Sequence, residues 1–265
     1  MLKELLIRLY RRARLIGLDP LKLVDFLRGL PLYLADLRKF RQQREGNDFN
    51  FGKIYLYPSL DDRFSESGNA KGHYFHQDLL IARRIHLNNP KIHGDIGSRI
   101  DGFVAHVASF RPIEVFDVRP QSGHIENINF VRCDLTKSIS EDLVEYCDSL
   151  SCLHALEHFG LGEYGDIVMY DGHLLGWNNL FRILRKRGKF YFSVPIGPQR
   201  IEFNSHRVFS VDYFLEIFDG KYRIDFFSFV DDKGDLHENV KIESDKSRDN
   251  FGCNYGCGIF EMTKL

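Results

Sequence analysis

Two histidines and a glutamate lie close together in the sequence, at a spacing that could hold a metal ion. His154, Glu157 and His158 occupy positions i, i+3 and i+4 directly after a predicted strand. In a helical turn these positions share one face, so the three side chains would point the same way. A metal can take two or three ligands from such a turn. His206, which follows the next predicted strand, could close on the same point.

The same residues also fit two simpler roles. A histidine without a metal can act as a general base, because its ordinary pKa lies near neutral pH, and His158 is the candidate for this role. Alternatively, Glu157 is a helix-turn acid and His158 a core or orienting histidine. The spacing leaves the three interpretations open, and His154 and His158 are the candidate catalytic residues.

A glycine-containing turn earlier in the chain is suited to a nucleoside. Residues 91–103 predict a short buried strand, a turn with Asp95, Gly97 and Gly102, and a helix over 103–109. Glycine lets the backbone approach a ligand, and a helix N-terminus offers unpaired N–H groups. We therefore predict an adenosine-containing cofactor here. The turn lacks the glycine spacing of dinucleotide-binding folds, which disfavours a nicotinamide-linked oxidoreductase.

Strands and helices alternate after this turn, which predicts an α/β fold with a doubly wound, mostly parallel sheet. The predicted strands span 113–117, 128–134, 147–153 and 189–194, followed by an antiparallel edge of 222–229 and 256–262. Ligands bind such sheets at the carboxyl ends of the strands. Asp95, Asp117, Asp134 and His154 all fall at those ends. Asp117 is placed to accept hydrogen bonds from ribose hydroxyls.

The order of these motifs resembles that of class I S-adenosylmethionine (SAM)-dependent methyltransferases. The resemblance is carried by Asp95-x-Gly97, Asp117, Asp134, Leu156-Glu-His158, and Arg187-Gly188 before a strand that ends in Val194-Pro195. It implies a Rossmann-like methyltransferase that uses SAM. The implied cofactor-binding residues are Asp95, Gly97, Ser98, Arg99, Asp117, Asp134 and Leu135. Asp134 or a neighbouring amide would meet the adenine amino group, and Arg99 would pair with the carboxylate of the methionyl part.

The turn at His154 is also similar to that of metal-dependent methyltransferases. In those enzymes a Glu-x-x-Glu-His stretch and a later histidine or acid hold a divalent ion. On that model the metal ligands here are His154, Glu157, His158 and His206. A histidine in place of the first glutamate favours Mn, Fe or Zn over Mg. The ion would polarise an acceptor hydroxyl and favour its alkoxide.

A narrower resemblance concerns the acceptor. The stretches His73-Tyr-Phe-His-Gln-Asp78 and 95–106 are similar to an uncharacterised methyltransferase-like family associated with bacterial surface-polysaccharide synthesis. It implies methyl transfer to a sugar hydroxyl of a nucleotide sugar, or of a polysaccharide or glycolipid precursor. The alternative is a non-catalytic binding module that keeps the cofactor fold within a glycan-assembly complex.

Polar residues precede the first helix of the predicted catalytic domain, over 79–87. Tyr74, His76 and Asp78 are interpreted as substrate-binding residues of a lid over the cofactor or acceptor. The alternative is that they cap the helix at the surface.

Residues 1–72 predict a helical lobe that ends in a connecting loop over 45–72, and residues 73–265 predict the SAM-binding domain. Helices are expected over 2–17, from Asp19-Pro20 to Gly29-Leu30-Pro31, and over 32–43. The lobe is rich in Lys and Arg. It fits either a peripheral contact with the inner membrane face or packing on the catalytic domain or another subunit.

Composition limits the remaining possibilities. The 265 residues have a net charge of −1, which gives no electrostatic case for binding nucleic acid. The sequence shows neither a secretory leader nor an apolar run long enough to cross a membrane, so a cytoplasmic protein is expected. Its five cysteines would then be reduced thiols. Cys253-x-x-x-Cys257 lacks partners at zinc-site spacing and is interpreted as structural.

Overall fold

The computed structural model describes residues 9, 10, 12–45, 47–49 and 51–265. The chain divides after Asn69 into two compact units. In the described part of the chain, no helix is long and apolar enough to cross a membrane.

The first unit is dominated by one long helix, α1 (Pro20–Glu45). The prediction of two helices separated at Gly29-Leu30-Pro31 is wrong, because α1 continues through Pro31. A proline removes one helical hydrogen bond, which weakens a helix without necessarily ending it. Gly29 has a packing role instead: a Cβ there would lie 2.4 Å from the carbonyl oxygen of Leu60.

The helix predicted over 2–17 falls partly outside the described residues, which exclude 1–8 and 11. Residues 9, 10 and 12–15 are helical. Between α1 and the second unit, the described residues contain a single 3-10 turn, Asp62–Phe64.

The second unit is built on a twisted β-sheet. The strands in chain order are β1 (His93–Ile96), β2 (Ile113–Asp117), β3 (Ile128–Arg132), β4 (Cys147–Leu153), β5 (Leu184–Ile196), β6 (Arg200–Glu202), β7 (His206–Val208), β8 (Tyr222–Val230), β9 (Leu236–His237) and β10 (Gly256–Lys264). Eight of them form one sheet in the order β3-β2-β1-β4-β5-β10-β8-β9, and β6 and β7 pair separately. Strands β1 to β5 run parallel, while β10 is antiparallel to both β5 and β8. The predicted doubly wound, mostly parallel fold is confirmed.

Helices flank this sheet. They are α2 (His73–Asn88), α3 (Ala105–Ala108), α4 (Gly172–Ile183), α5 (Val211–Phe218) and α6 (Ser244–Arg248). A π-type turn, Ile100–Val104, precedes α3, and 3-10 turns occur at Glu141–Leu143, Leu156–His158 and Asn250–Gly252. Helix α2 begins at His73, six residues before the predicted start. Its first turns are largely polar, so a search for apolar periodicity recognises only its later part.

Apolar clusters cover both faces of the sheet. Alternate residues of a strand point to opposite faces. Phe190 and Phe192 of β5 accordingly belong to a cluster with Trp177 of α4, whereas Tyr191 belongs to the cluster with Ile81 of α2. Both faces are therefore covered, and polar groups at the carboxyl ends of the parallel strands gather at one edge.

Candidate active site

The turn after β1 is fixed by the buried carboxylate of Asp95. This carboxylate accepts hydrogen bonds from the backbone N–H of Ser98 at 3.1 Å and from the Ser98 hydroxyl at 2.9 Å. The hydroxyl of Ser151 on β4 donates to it as well. Gly97 lies between these residues with φ +71°, and a Cβ there would come 3.1 Å from the Cβ of Ala155. Glycine therefore satisfies both the backbone conformation and the close approach.

The pKa of Asp95 is raised to about 7, mainly because its carboxyl group is buried. The hydrogen bonds from Ser151 and Ser98 act in the opposite direction, because they stabilise the ionised form. Asp95 thus fixes the turn through its hydrogen bonds, while burial makes the ionised form of its carboxyl group unfavourable.

Residues from three strand ends line one narrow cavity. Gly97 follows β1, Asp117 ends β2, and Asp134 and Leu135 follow β3. Asp134 accepts from the backbone N–H of Thr136 at 3.0 Å and from its hydroxyl at 2.6 Å. The predicted nucleoside residues therefore lie around a common space, with Asp134 locked in its own turn.

Asp117 already has a cationic partner. The Nε of Arg119 donates to Oδ1 of Asp117 at 3.0 Å, and a second guanidinium nitrogen donates to Oδ2. The guanidinium carbon of Arg119 lies 4.7 Å from the ring centre of Tyr164. Any ligand that uses the Asp117 carboxylate must share it with Arg119 or displace Arg119.

A larger cavity of about 740 Å³ continues from this space. The two cavities share Gly97, Arg119, His154, His158 and Tyr164, so they form one cleft. Ser98 and Arg99 line its wider part. Arg99 is 68% exposed and forms an ion pair with Asp101, with Nη2 and Oδ2 2.8 Å apart.

At the junction of the two cavities, a buried glutamate lies between two histidines. Oε1 of Glu157 is 2.6 Å from Nδ1 of His154 and 3.8 Å from Nε2 of His158. Burial by itself raises the pKa of Glu157, but His154 and then His158 hold it below its ordinary value. Burial lowers the pKa of His154, but Cys257 and Glu157 raise it to about 10. The pairing with His154 therefore favours the ionised form of Glu157.

The structure brings Glu157 against His154 and His158, but it does not gather all four predicted metal ligands around one point. Among the described residues, the set His154, Glu157, His158 and His206 does not form a group whose ligand atoms could hold one ion. Nδ1 of His158 contacts the carbonyl oxygen of Ser205 at 2.6 Å. The ring centres of His158 and His206 are 6.5 Å apart. The turn at 156–158 is a 3-10 turn, and His154 precedes it with φ +50°, so the helical spacing on which the prediction depends is absent.

Helix α2 forms one wall of the cleft. Tyr74 and Asp78 line the wider cavity, but His76 is not among the described residues that do so. A helix turns 100° per residue, so His73, Tyr74, Gln77 and Asp78 share a side from which His76 points away. Of the three substrate-binding candidates, Tyr74 and Asp78 therefore lie at the cavity, and His76 lies on another side of α2. Asp78 accepts a hydrogen bond from Gln77 at 3.1 Å, and burial raises its pKa.

A family model matches residues 113–252, more than half of the chain. The chain belongs to the DUF268 family. The family is described as a Caenorhabditis protein of unknown function. The matched span includes the His154–His158 turn but not the Gly97 turn. No curated protein matches the sequence.

The DUF268 chain is also similar to solved structures of other proteins. One is the 1,6-didemethyltoxoflavin-N1-methyltransferase of Burkholderia thailandensis with S-adenosylhomocysteine bound. It is 16% identical with a TM-score of 0.50, and the match covers 74% of this chain and 79% of that one. Another is the N-methyltransferase NodS of Bradyrhizobium japonicum, at 12% identity and a TM-score of 0.46 over 73% and 88% of the two chains. The DUF268 chain has a class I SAM-dependent methyltransferase fold.

Several residues of the cleft are absent from the sequence-based prediction. They are His73, Gln77, Phe103, Arg119, Glu163, Tyr164 and Tyr255. Arg119 has a local signal, since it lies two residues after the acid at the end of β2. The others enter the cleft through loop paths or helix rotation, for which a single sequence gives no signal.

Replacing Asp95 with Asn is expected to stabilise the DUF268 protein at neutral and alkaline pH. The folded protein holds the Asp95 proton up to about pH 7, whereas the unfolded chain releases it near the ordinary pKa of 3.8. The wild type therefore loses stability relative to the variant between these values, by on the order of 1.4 kcal/mol per pH unit at most. Urea unfolding of both proteins from pH 4 to pH 8 measures this difference.

Asp101→Asn is the control for this experiment, because it removes an exposed carboxylate from the same loop. If the Asp95→Asn variant gained no stability relative to the wild type as the pH rises, the folded protein would not raise the pKa of Asp95.

Proposed function

We propose that this DUF268 protein is a SAM-dependent methyltransferase that acts on a small-molecule or glycan hydroxyl. The observation on which the proposal depends is the arrangement of one cleft. Its narrow part is lined by Gly97, Asp117, Asp134 and Leu135 from three consecutive strand ends, and its wide part by His154 and His158. A nucleoside site thus adjoins two imidazoles in a fold whose solved relatives include methyltransferases.

The narrow part fits the adenosine end of SAM. The carboxylate of Asp117 can accept hydrogen bonds from both ribose hydroxyls once Arg119 moves aside. Gly97 leaves room for the ligand beside the backbone of the first turn. The turn containing Asp134 and Leu135 would meet the adenine edge. When bound, SAM supplies an electrophilic methyl group on its sulfonium.

His158 is suited to removing the acceptor proton. Its Nδ1 lies 2.6 Å from the Ser205 carbonyl and 2.8 Å from a carboxylate oxygen of Glu163, both of which only accept hydrogen bonds. Nδ1 therefore carries the hydrogen, and the lone pair is on Nε2. Nε2 would take the hydroxyl proton as the methyl group passes from the sulfonium of SAM to the acceptor oxygen. Glu157, 3.8 Å away, stabilises the resulting imidazolium.

A sugar hydroxyl is the acceptor class that we favour. The wide cavity is lined by the aromatic rings of Tyr74, Tyr164 and Tyr255 and by the carboxyl group of Asp78. Such a surface can stack on a sugar ring and bind its hydroxyls. The resemblance of residues 73–78 and 95–106 to proteins of surface-polysaccharide synthesis supports the same class.

Calorimetry tests the cofactor. We expect SAM and S-adenosylhomocysteine to bind and NAD not to bind. Asp117→Ala should weaken both interactions at least about tenfold, because hydrogen bonds to a charged group are lost. Asp142→Ala, at an exposed carboxylate in a 3-10 turn, is the matched control. Binding of NAD alone would favour an oxidoreductase, and SAM binding without turnover on any sugar acceptor would favour a binding module.

Arg99→Ala tests the methionyl end of the cofactor. Arg99 lines the wide cavity, and its present partner Asp101 is exposed, so the guanidinium can turn to a ligand carboxylate. We expect weaker SAM binding in Arg99→Ala and unchanged or stronger binding in Asp101→Ala, which frees Arg99. Equal SAM affinity in the Arg99→Ala variant and the parent would end this assignment.

His158→Ala should lower kcat by about 10²- to 10⁴-fold, the usual contribution of a positioned acid or base. The dissociation constant of SAM should stay within about twofold, because His158 acts on the acceptor. The measurement is transfer of labelled methyl from SAM to an acceptor that the parent turns over. His124→Ala, at an exposed position, is the control. Unchanged turnover in His158→Ala would leave His158 a structural role only.

A further inference from the structure

We propose that His73, His154 and Cys257 form a divalent metal site of the zinc type, with an open coordination position on the cleft. One ligand atom from each of the three side chains lies within 4.8 Å of the other two. The residues come from the first turn of α2, the end of β4 and the second residue of β10. The site is distinct from the ligand set predicted from the sequence, with which it shares only His154.

The strongest sign of a missing ligand is an unpaired nitrogen. Nε2 of His154 is buried and has no hydrogen-bond partner among the residues that the structure describes. His154 is only 8% exposed, and burying a polar atom without a partner is costly. A metal ion bound to Nε2 would satisfy it.

The other nitrogen of His154 is held as in known metal sites. Nδ1 lies 2.6 Å from Oε1 of Glu157, a residue that is 1% exposed. A carboxylate that accepts the Nδ1 hydrogen leaves the lone pair on Nε2 and fixes the ring. Glu157 is therefore an orienting residue for the ligand rather than a ligand itself. His154 has a φ of +50°, a left-handed conformation that costs energy in residues other than glycine.

The remaining two ligands lie beside His154. The ring of His73 stacks on that of His154 with centres 5.1 Å apart. Sγ of Cys257 makes long contacts, at 3.8 Å, with Oε1 of Gln77 and the carbonyl of Gly258. Tetrahedral zinc with nitrogen and sulfur ligands needs its ligand atoms roughly 3.3–3.8 Å apart, so closing the site takes a movement of about 1 Å.

The donor set selects the metal class. Two imidazoles and a thiolate favour Zn²⁺ over Mg²⁺ or Ca²⁺, which prefer oxygen. Three protein ligands are typical of zinc sites that keep one position for water or substrate. His73 and His154 line the wide cavity, whereas Cys257 is fully buried behind them. The fourth position therefore faces the cavity, where a water or hydroxyl oxygen can bind. The metal site does not depend on the assignment of SAM.

Metal binding by the full-length protein tests this site. Reduced, metal-free protein is titrated with Co²⁺ and then Zn²⁺. We expect one equivalent of Co²⁺ to give tetrahedral visible bands and a thiolate-to-cobalt charge-transfer band, both removed by Zn²⁺. X-ray absorption of the zinc-loaded wild type should show one sulfur and two imidazole ligands.

Variants assign the ligands. Cys257→Ser should abolish the charge-transfer band, and His73→Ala should weaken Zn²⁺ binding at least tenfold. Glu157→Gln should weaken it by about 10- to 100-fold, as is usual for a residue that orients a ligand. The controls are Cys253→Ser, a buried cysteine in the same segment, and His86→Ala, an exposed histidine of α2. Both controls should bind metal as the wild type does.

Three results would overturn the proposal. The first is the absence of stoichiometric metal binding by the wild type, which would leave a thiol–imidazole pair. The second is a charge-transfer band that persists in Cys257→Ser. The third is a zinc spectrum without sulfur, which is informative even if the Cys257→Ser protein fails to fold. None of these results bears on SAM binding, which calorimetry measures separately.

Discussion

The buried carboxylate of Glu157 is the group on which the arrangement of the cleft depends. An ionised carboxylate loses its hydration when it is buried, so it must be paired with a charged or hydrogen-bonding partner. Nδ1 of His154, at 2.6 Å, is that partner, and His158 adds a second imidazole at 3.8 Å. The geometry requires His154 to adopt a left-handed φ directly after β4. The strand end, the left-handed residue and the 3-10 turn thus form one unit that holds two imidazoles beside the cleft.

The parallel sheet determines where that unit lies. Parallel strands present their carboxyl ends at one edge, where the connecting turns leave a crevice. Asp95 connects two of these ends, because it accepts hydrogen bonds from Ser98 after β1 and from Ser151 on β4. Asp117, at the end of β2, pairs with Arg119, whose side chain lies over Tyr164. The cleft therefore has a floor of strand ends with charged side chains beside it.

The same unit can support two roles for its histidines. In the proposed reaction, His158, whose Nδ1 is engaged by Ser205 and Glu163, acts as the base. His154, whose Nδ1 is engaged by Glu157, also lies close to His73 and Cys257. The different hydrogen-bond partners of these two neighbouring histidines therefore suit them to different roles. The acceptor hydroxyl would lie between a proton-accepting nitrogen and a metal-binding group.

The fold could be predicted from the sequence because its signals are local. Apolar runs of strand length alternate with helical periodicity, and each acid at a strand end follows directly from that alternation. The Gly97 turn is local as well, since its conformation is set within a few residues. Local signals were insufficient at Pro31, where the helix continues, and at His73, where polar residues begin a helix.

By itself the sequence determined the α/β sheet, the edge at which ligands bind and the candidates along that edge. Only the tertiary structure decided which side chains meet. Rotation of α2 brought His73 to the cleft and turned His76 away, and the insertion of β10 beside β5 brought Cys257 to His154 across about a hundred residues of chain. Such contacts depend on strand order and helix rotation, which are set by packing of the whole sheet, and no spacing within one segment encodes them.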